Sequence, residues 1–210
     1  MNEKMFAITI SHQIGSSGAP VGKRLSERLD IPYFDREILK RVSNRLHMAE
    51  ADLEHREERL RSFWQSYSHT AELILDPALS LTADRYIPSD KELFQLESET
   101  ILRIAEKSSA VFIGRCGRHI LRSHPRHLSL LLHADPASRI ERIKNLYHLD
   151  APEAGKFMEE NDRDRAAYIR AFTGQDWVDA RLYDLCINTS QTGVDGAVDL
   201  IRTCVKTRFL

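Results

Sequence analysis

The sequence predicts an α/β fold, a three-layer sandwich in which helices cover a five-stranded parallel sheet, with a helical insertion and an arginine-rich lid segment. Two observations carry the sheet. Five short apolar runs, Phe6 to Ile10, Ile31 to Phe34, Ala110 to Ile113, Leu128 to His133 and Leu185 to Ile187, are the candidate strands. Between them lie segments whose apolar residues recur at helical spacing, an alternation that marks a sheet buried on both faces, with ligands at the carboxyl ends of its strands. A third observation points to a ligand: the first run passes into a glycine-bearing turn and then a helix.

That first element reads ITISHQIGSSGAPVGKRLSERL, residues 8 to 29. Residues 5 to 11 are expected to form a central strand. Gly15 and Gly18 permit a tight turn, and Pro20 suits the first turn of a helix, where a missing N–H costs nothing. Val21, Leu25 and Leu29 give that helix one apolar face. Backbone N–H groups of Gly15, Ser16, Ser17, Gly18 and Ala19 would then converge on an anion at the helix N-terminus. The plainer alternative is an ordinary strand-to-helix turn. The pattern G-x-x-x-x-G-K-[ST] is not met, because Arg24 follows Gly22 and Lys23.

After the second run, Asp35 opens a helix carrying Ile38, Leu39, Val42 and Leu46. Asp35 lies at a strand's carboxyl end, where substrate or Mg²⁺ contact is allowed, and Arg41 points either at a second phosphate or at solvent. Residues 48 to 90, with HREERLR and then Trp64, Tyr67, Pro77 and Pro88, read as an insertion of helix and loop. A further helical pattern follows in Leu93, Leu96, Ile101, Leu102 and Ala105.

The third run leaves the sheet as VFIGRCGRHIL. Arg115 there can fork two donors onto a phosphate, or be a surface cation at a strand end. Cys116 has no neighbours that would make it a nucleophile, and reads as a small, partly buried residue. Between the fourth and fifth runs, residues 150 to 182 hold EENDRDR and FTGQDW. The stretch 158 to 172 reads as a helix with Arg163, Ala167 and Arg170 on one face and Arg165 nearly opposite. Such a segment is either a solvated face laced with ion pairs or an arginine lid that closes over a polyphosphate.

The chain of 210 residues suits one domain, 1–210, with two excursions at 48–90 and 150–182. Its 30 basic and 31 acidic side chains nearly cancel, so bulk charge points to neither nucleic acid nor membrane. Cys116, Cys186 and Cys204 are odd in number and widely spaced, which argues against a disulfide framework or zinc site and for a reducing cytoplasm. No leader or eighteen-residue apolar run is visible, so neither secretion nor a membrane span is expected. Among the nine histidines no metal-ligand spacing occurs; His12, beside the loop, is the one to watch.

Taken in order, ITI, GSSGA, KRLSERLDIPYFD, VFIGR, NDRDRAAYIRAFTGQDW and YDLCINTS resemble the bacterial cytidylate kinase-like family, a branch of the P-loop nucleoside monophosphate kinases. The resemblance spans nearly the whole chain and is weakest over 48–90. It implies a P-loop kinase-like fold, ATP and Mg²⁺ as the donor pair, and a nucleotide or small-molecule acceptor, with homo-oligomerisation left open. The family's loop GPSGAGKGT lies over His12 to Pro20, so its phosphate lysine falls on Gly18 and its magnesium hydroxyl on Pro20. Gly15 matches a loop glycine, and Ser16 and Ser17 are the remaining hydroxyls. On the acceptor side the resemblance implies Asp35, Arg41 and Arg115, with Cys116 where the family reads its base with an aspartate. The lid motif DRDR matches Asp162 to Arg165 unchanged, so Arg115, Arg163 and Arg165 are the implied catalytic set. The donor-side lysine and hydroxyl are lost and the arginines kept. Two functions are therefore expected to compete: phosphoryl transfer to an unnamed acceptor, and nucleotide binding or sensing without transfer.

Overall fold

In the computed structural model of the chain, residues 5–35 and 90–210 are described. Arg41 and nearly all of the 48–90 insertion lie outside them. The described elements are β1 (Ala7–His12), α1 (Gly18–Leu29), β2 (Tyr33–Phe34), α2 (Asp90–Lys107), β3 (Ala110–Ile113), α3 (Gly117–Ile120), β4 (His127–His133), α4 (Pro136–Tyr147), α5 (Ala151–Thr173), β5 (Leu185–Asn188) and α6 (Thr189–Phe209).

All five predicted strands form, in the order β2-β3-β1-β4-β5, every neighbouring pair parallel. Ile8 stands beside Val111 on one flank and Leu128 on the other, so β1 is central. The chain leaves β1 for β2 and β3 on one side, then crosses to β4 and β5 on the other. That reversal opens a crevice beyond the carboxyl end of β1, where an open parallel sheet takes its ligands. β2 is shorter than the run Ile31 to Phe34, because Pro32 has no N–H for the ladder; its carbonyl still accepts from the Val111 amide at 2.9 Å.

Side chains alternate between two cores, as the two-residue period of a strand requires. Ile8, Ile10, Val111, Ile113, Leu128, Leu130 and Leu132 face α1 and α6, meeting Val21, Leu25, Val198, Ile201 and Val205. Ala7 and Phe112 face α2 and α3, meeting Ile101, Ile104 and Leu121. Each fully buried leucine or isoleucine contributes roughly 1.5–3 kcal/mol of transfer free energy. This double burial is why the strands read as unbroken apolar runs rather than alternating ones.

α5 is longer than the expected 158–172. Asp150 accepts from the Glu153 amide at 2.8 Å while the Glu153 carboxylate accepts from the Asp150 amide at 3.0 Å, a reciprocal cap that sets the start seven residues earlier. Its inward stripe is Ala154, Asn161, Arg165 and Tyr168, and hydropathy does not reveal a stripe that is half polar. Among the described residues no helix is long and apolar enough to cross a membrane.

Candidate functional site

β1 ends at His12 and the chain turns through Gln13–Ser17 into α1. Gly15 has φ 76°, and a Cβ there would lie 2.8 Å from the Arg139 carbonyl oxygen, so only glycine fits. Ser17, the residue before the helix, is also left-handed at φ 59°. Both lie immediately before α1, whose first N–H groups have no intrahelical acceptor. Pro20 sits in that first turn without cost. A cleft of about 340 Å³ opens in front, lined by His12, Gly15, Ser17, Gly18, Ala19 and Arg142 among others.

Ser16 plays a different part from the other loop residues. It is fully buried; its hydroxyl donates to the carbonyls of Gln13 at 2.8 Å and Leu132 at 3.2 Å, and its amide to Gln13 at 3.1 Å. Its polar groups hold the loop's shape. Of the two loop hydroxyls, only that of Ser17 borders the cleft.

Two arginines of α4 clamp the loop from the side, and sequence reading passed over both. Arg139 is buried; its Nε donates to the Ile14 carbonyl at 2.7 Å and its Nη2 to Asp162 Oδ2 at 2.6 Å, joining the loop to the first aspartate of DRDR. Arg142 is half-buried, and its Nη1 donates to the Gly15 carbonyl at 3.0 Å and its Nη2 to the Thr189 carbonyl at 3.3 Å. Thr189, at the start of α6, donates its hydroxyl to the Ser16 carbonyl at 2.9 Å. The sequence signal was present in SRIER, arginines three apart just beyond the carboxyl end of a strand.

The arginines of DRDR divide as the helical wheel predicts. Arg165 points inward, 4% exposed, its guanidinium 5.3 Å from the centre of the Trp177 ring. Burial pushes its pKa down to about 10, against the opposing pull of Asp162. Arg163 is exposed together with Ala167 and Arg170. The FTGQDW segment is tied down: Arg118 donates to Gln175 Oε1 and to the Leu182 carbonyl, both at 2.7 Å, and the Tyr183 hydroxyl donates to the Trp177 carbonyl at 2.6 Å.

At the end of β3, Gly114, Arg115 and Cys116 all have positive φ, at 66°, 52° and 52°. Two of these are not glycine, a concentration of backbone strain typical of ligand sites. The Arg115 side chain turns inward, 3% exposed, and its Nη1 donates to Oε1 of the fully buried Glu97 at 2.5 Å. The expected phosphate fork therefore starts from an ion pair with α2. Cys116 is buried, and burial first, then the Glu97 charge, push its thiol pKa up to about 12, so it stays protonated and poorly nucleophilic. Asp35, at the end of β2, accepts from the Tyr33 hydroxyl at 3.2 Å.

The residues suit an anion better than a protein-held cation. Pro20 stands at the position of the magnesium hydroxyl, the Ser16 hydroxyl faces carbonyls, and among the described residues no group of three or more His, Cys, Asp or Glu could hold a metal ion.

A central parallel strand, a glycine turn on the N-terminus of the next helix, and arginines arriving from a following helical segment define a P-loop kinase-like protein. The profile of the cytidylate kinase-like family matches residues 7–191, and the chain belongs to that family. No curated protein matches the sequence. Among solved structures, an uncharacterized protein from Eubacterium ventriosum is 23% identical with a TM-score of 0.71, over 97% of this chain and 100% of the other. A shikimate kinase from Bacteroides thetaiotaomicron is 13% identical with a TM-score of 0.55, over 96% and 99% of the two chains. A gluconokinase from Sinorhizobium meliloti is 12% identical with a TM-score of 0.54, over 97% and 95%. At these identities the likeness is one of fold.

Proposed function

We propose that the protein is an ATP-dependent phosphotransferase acting on a nucleotide or other small acceptor, within a single domain whose 150–182 segment works as the lid. The observation that carries this reading is Arg139, which holds the loop through Ile14 and the DRDR helix through Asp162 at once. A lid motif wired to a phosphate loop is what transfer between two bound molecules requires.

ATP, when bound, supplies the transferable phosphoryl group. In this reading the amides of Gly15, Ser17, Gly18 and Ala19 bind its phosphates, the Ser16 amide being taken by the Gln13 carbonyl, and Arg142 adds a cation at the rim of the cleft. Arg165 and Arg163 lie on the lid helix, where closure brings charge over the phosphates and excludes water. Asp35, Arg41 and Arg115 are assigned to the acceptor. Strong preference for CMP is not expected, since the buried, protonated Cys116 cannot accept from a base edge as a carboxylate does. Because the described donor set does not fit a protein-held Mg²⁺, no role is given to protein ligands of that ion.

Gly18 and Pro20, in place of a lysine and a hydroxyl, favour a second reading, in which nucleotide binds without transfer. ADP release from ATP, measured against CMP, UMP, AMP, GMP and a panel of small hydroxylated metabolites, separates the two. Turnover with any acceptor supports the kinase. Tight ATP binding with no acceptor-dependent turnover supports the sensor, and absence of binding overturns both.

A further inference from the structure

Arg165 lies eight residues before Thr173, the end of α5, yet the ring beside its guanidinium, Trp177, comes from beyond that end. The chain therefore doubles back along about 12 Å of helix. Local bonds make the reversal. Gly174 ends the helix at φ 68°, and its amide donates to the Arg170 carbonyl at 2.9 Å. Thr173 Oγ1 then accepts from the Gln175 amide at 3.2 Å, and Asp176 Oδ1 from the Val178 amide at 3.2 Å. Neighbours are sharply divided as a result: Trp177 is 4% exposed and Val178 45%. The returning segment is also anchored from outside. Tyr183, just before β5, donates its hydroxyl to the Trp177 carbonyl at 2.6 Å, and Ser11 of β1 bonds the same hydroxyl. Arg118 of α3 holds Gln175 and the Leu182 carbonyl, one on each side of Trp177 in the chain, at 2.7 Å each.

We propose that Trp177 is a positioning residue: its ring holds the Arg165 guanidinium on the inner face of α5 before any ligand arrives, so that Arg165 is a preset phosphate contact while the exposed Arg163 has to be brought in. This rests on the nucleotide-binding reading above, in which Arg165 meets the phosphates. The physical reason lies in the side chain. Arginine is long and rotates about several bonds, and ordering it at the moment of binding subtracts from affinity. Against a rigid ring it is ordered when the protein folds. The indole, the strongest of the aromatic faces for a cation, attracts the guanidinium by its charge and engages none of its N–H donors, the groups that fork onto a phosphate. An aliphatic side chain in the same place fills space and offers no such face. Tyr183 and Arg118 act one step further back, by fixing the backbone that carries the indole.

Calorimetric titration with ATP, and separately with inorganic tripolyphosphate, of Trp177→Leu in two backgrounds, wild type and Arg165→Met, tests this. Trp177→Leu should bind both anions roughly five- to thirtyfold more weakly than wild type, the scale of a desolvated cation–π contact, with Trp177→Phe between the two. In the Arg165→Met background the same change should cost nothing further, because the ring acts only through the guanidinium. Tyr183→Phe keeps the indole but releases its backbone, and should repeat the pattern at smaller size; if Trp177→Leu does not fold, the Tyr183→Phe cycle decides. An equal loss in both backgrounds means that Trp177 only shapes the fold, and overturns the inference. So does an unchanged affinity of the single variant, or an Arg165→Met protein that binds as tightly as wild type. In those outcomes wild type still binds ATP and the nucleotide reading stands. Wild type that binds neither anion overturns both.

Discussion

Arg115 Nη1 and Glu97 Oε1 meet at 2.5 Å between α2 and the end of β3, the two side chains 3% and 0% exposed. Removing one member of so buried an ion pair typically costs about 3–5 kcal/mol. Glu97→Ala is expected to lose stability on that scale in urea unfolding. Arg115→Met with Glu97→Leu should recover most of the loss. An unchanged midpoint for Glu97→Ala would show that the pair does not hold α2 to the site.

The arginines of DRDR should separate stability from activity. Arg163 is exposed, so Arg163→Ala should change the unfolding free energy by less than about 0.5 kcal/mol. If it closes over the phosphates, the same change should cost on the order of 2–4 kcal/mol in transition-state stabilisation. Arg165→Ala, which removes a buried guanidinium stacked on Trp177, should lower both. Melting curves and kcat/KM on the two variants are the check, and an active Arg163→Ala would remove that residue from the lid.

Gly15→Ala meets two obstacles at once, a φ of 76° and the Arg139 carbonyl at 2.8 Å. The left-handed conformation alone costs about 1–2 kcal/mol, and the backbone of α4 must also retreat. We expect a lower melting temperature and weaker ATP binding together. Retention of both would mean that α4 does not brace the loop.

His127 makes stability depend on pH. Its Nε2 lies 2.7 Å from the Thr9 hydroxyl, and burial, opposed by Asp184 and reinforced by His124, Arg118 and Arg208, lowers its pKa from 6.5 to about 4. The unfolded chain then binds the proton first as pH falls. Stability should drop between about pH 6.5 and 4, and the His127 contribution should level off below that, for a loss on the order of 2–3 kcal/mol after allowing for partial exposure. The difference in unfolding free energy between wild type and His127→Gln, followed across this window, isolates the effect. A pH-independent difference would refute it.

Much of this arrangement is written locally. Each strand is buried on both faces, so its apolar run is unmistakable, and Gly15 announces a turn because glycine takes a positive φ without steric cost. The DRDR wheel separates Arg163 from Arg165 by helical geometry alone, and the structure keeps that separation as exposed against buried. The start of α5 was harder to read, because Asp150 and Glu153 fix it through a reciprocal cap while its inward stripe includes Asn161 and Arg165.

The sequence by itself determined the layers and the position of the glycine turn, since these follow from periodicity and from backbone angles that a few residues alone can adopt, while the central place of the first strand was implied by the alternation together with the family resemblance. Tertiary structure alone decided what each arginine and the histidine face. Arg115 is turned to Glu97, Arg139 spans Ile14 and Asp162, and the His12 ring leaves no room for a Cβ at Gly18. Those partners are brought within a few ångströms by the order of strands in the sheet, and charge and volume are matched only between segments that no local pattern connects.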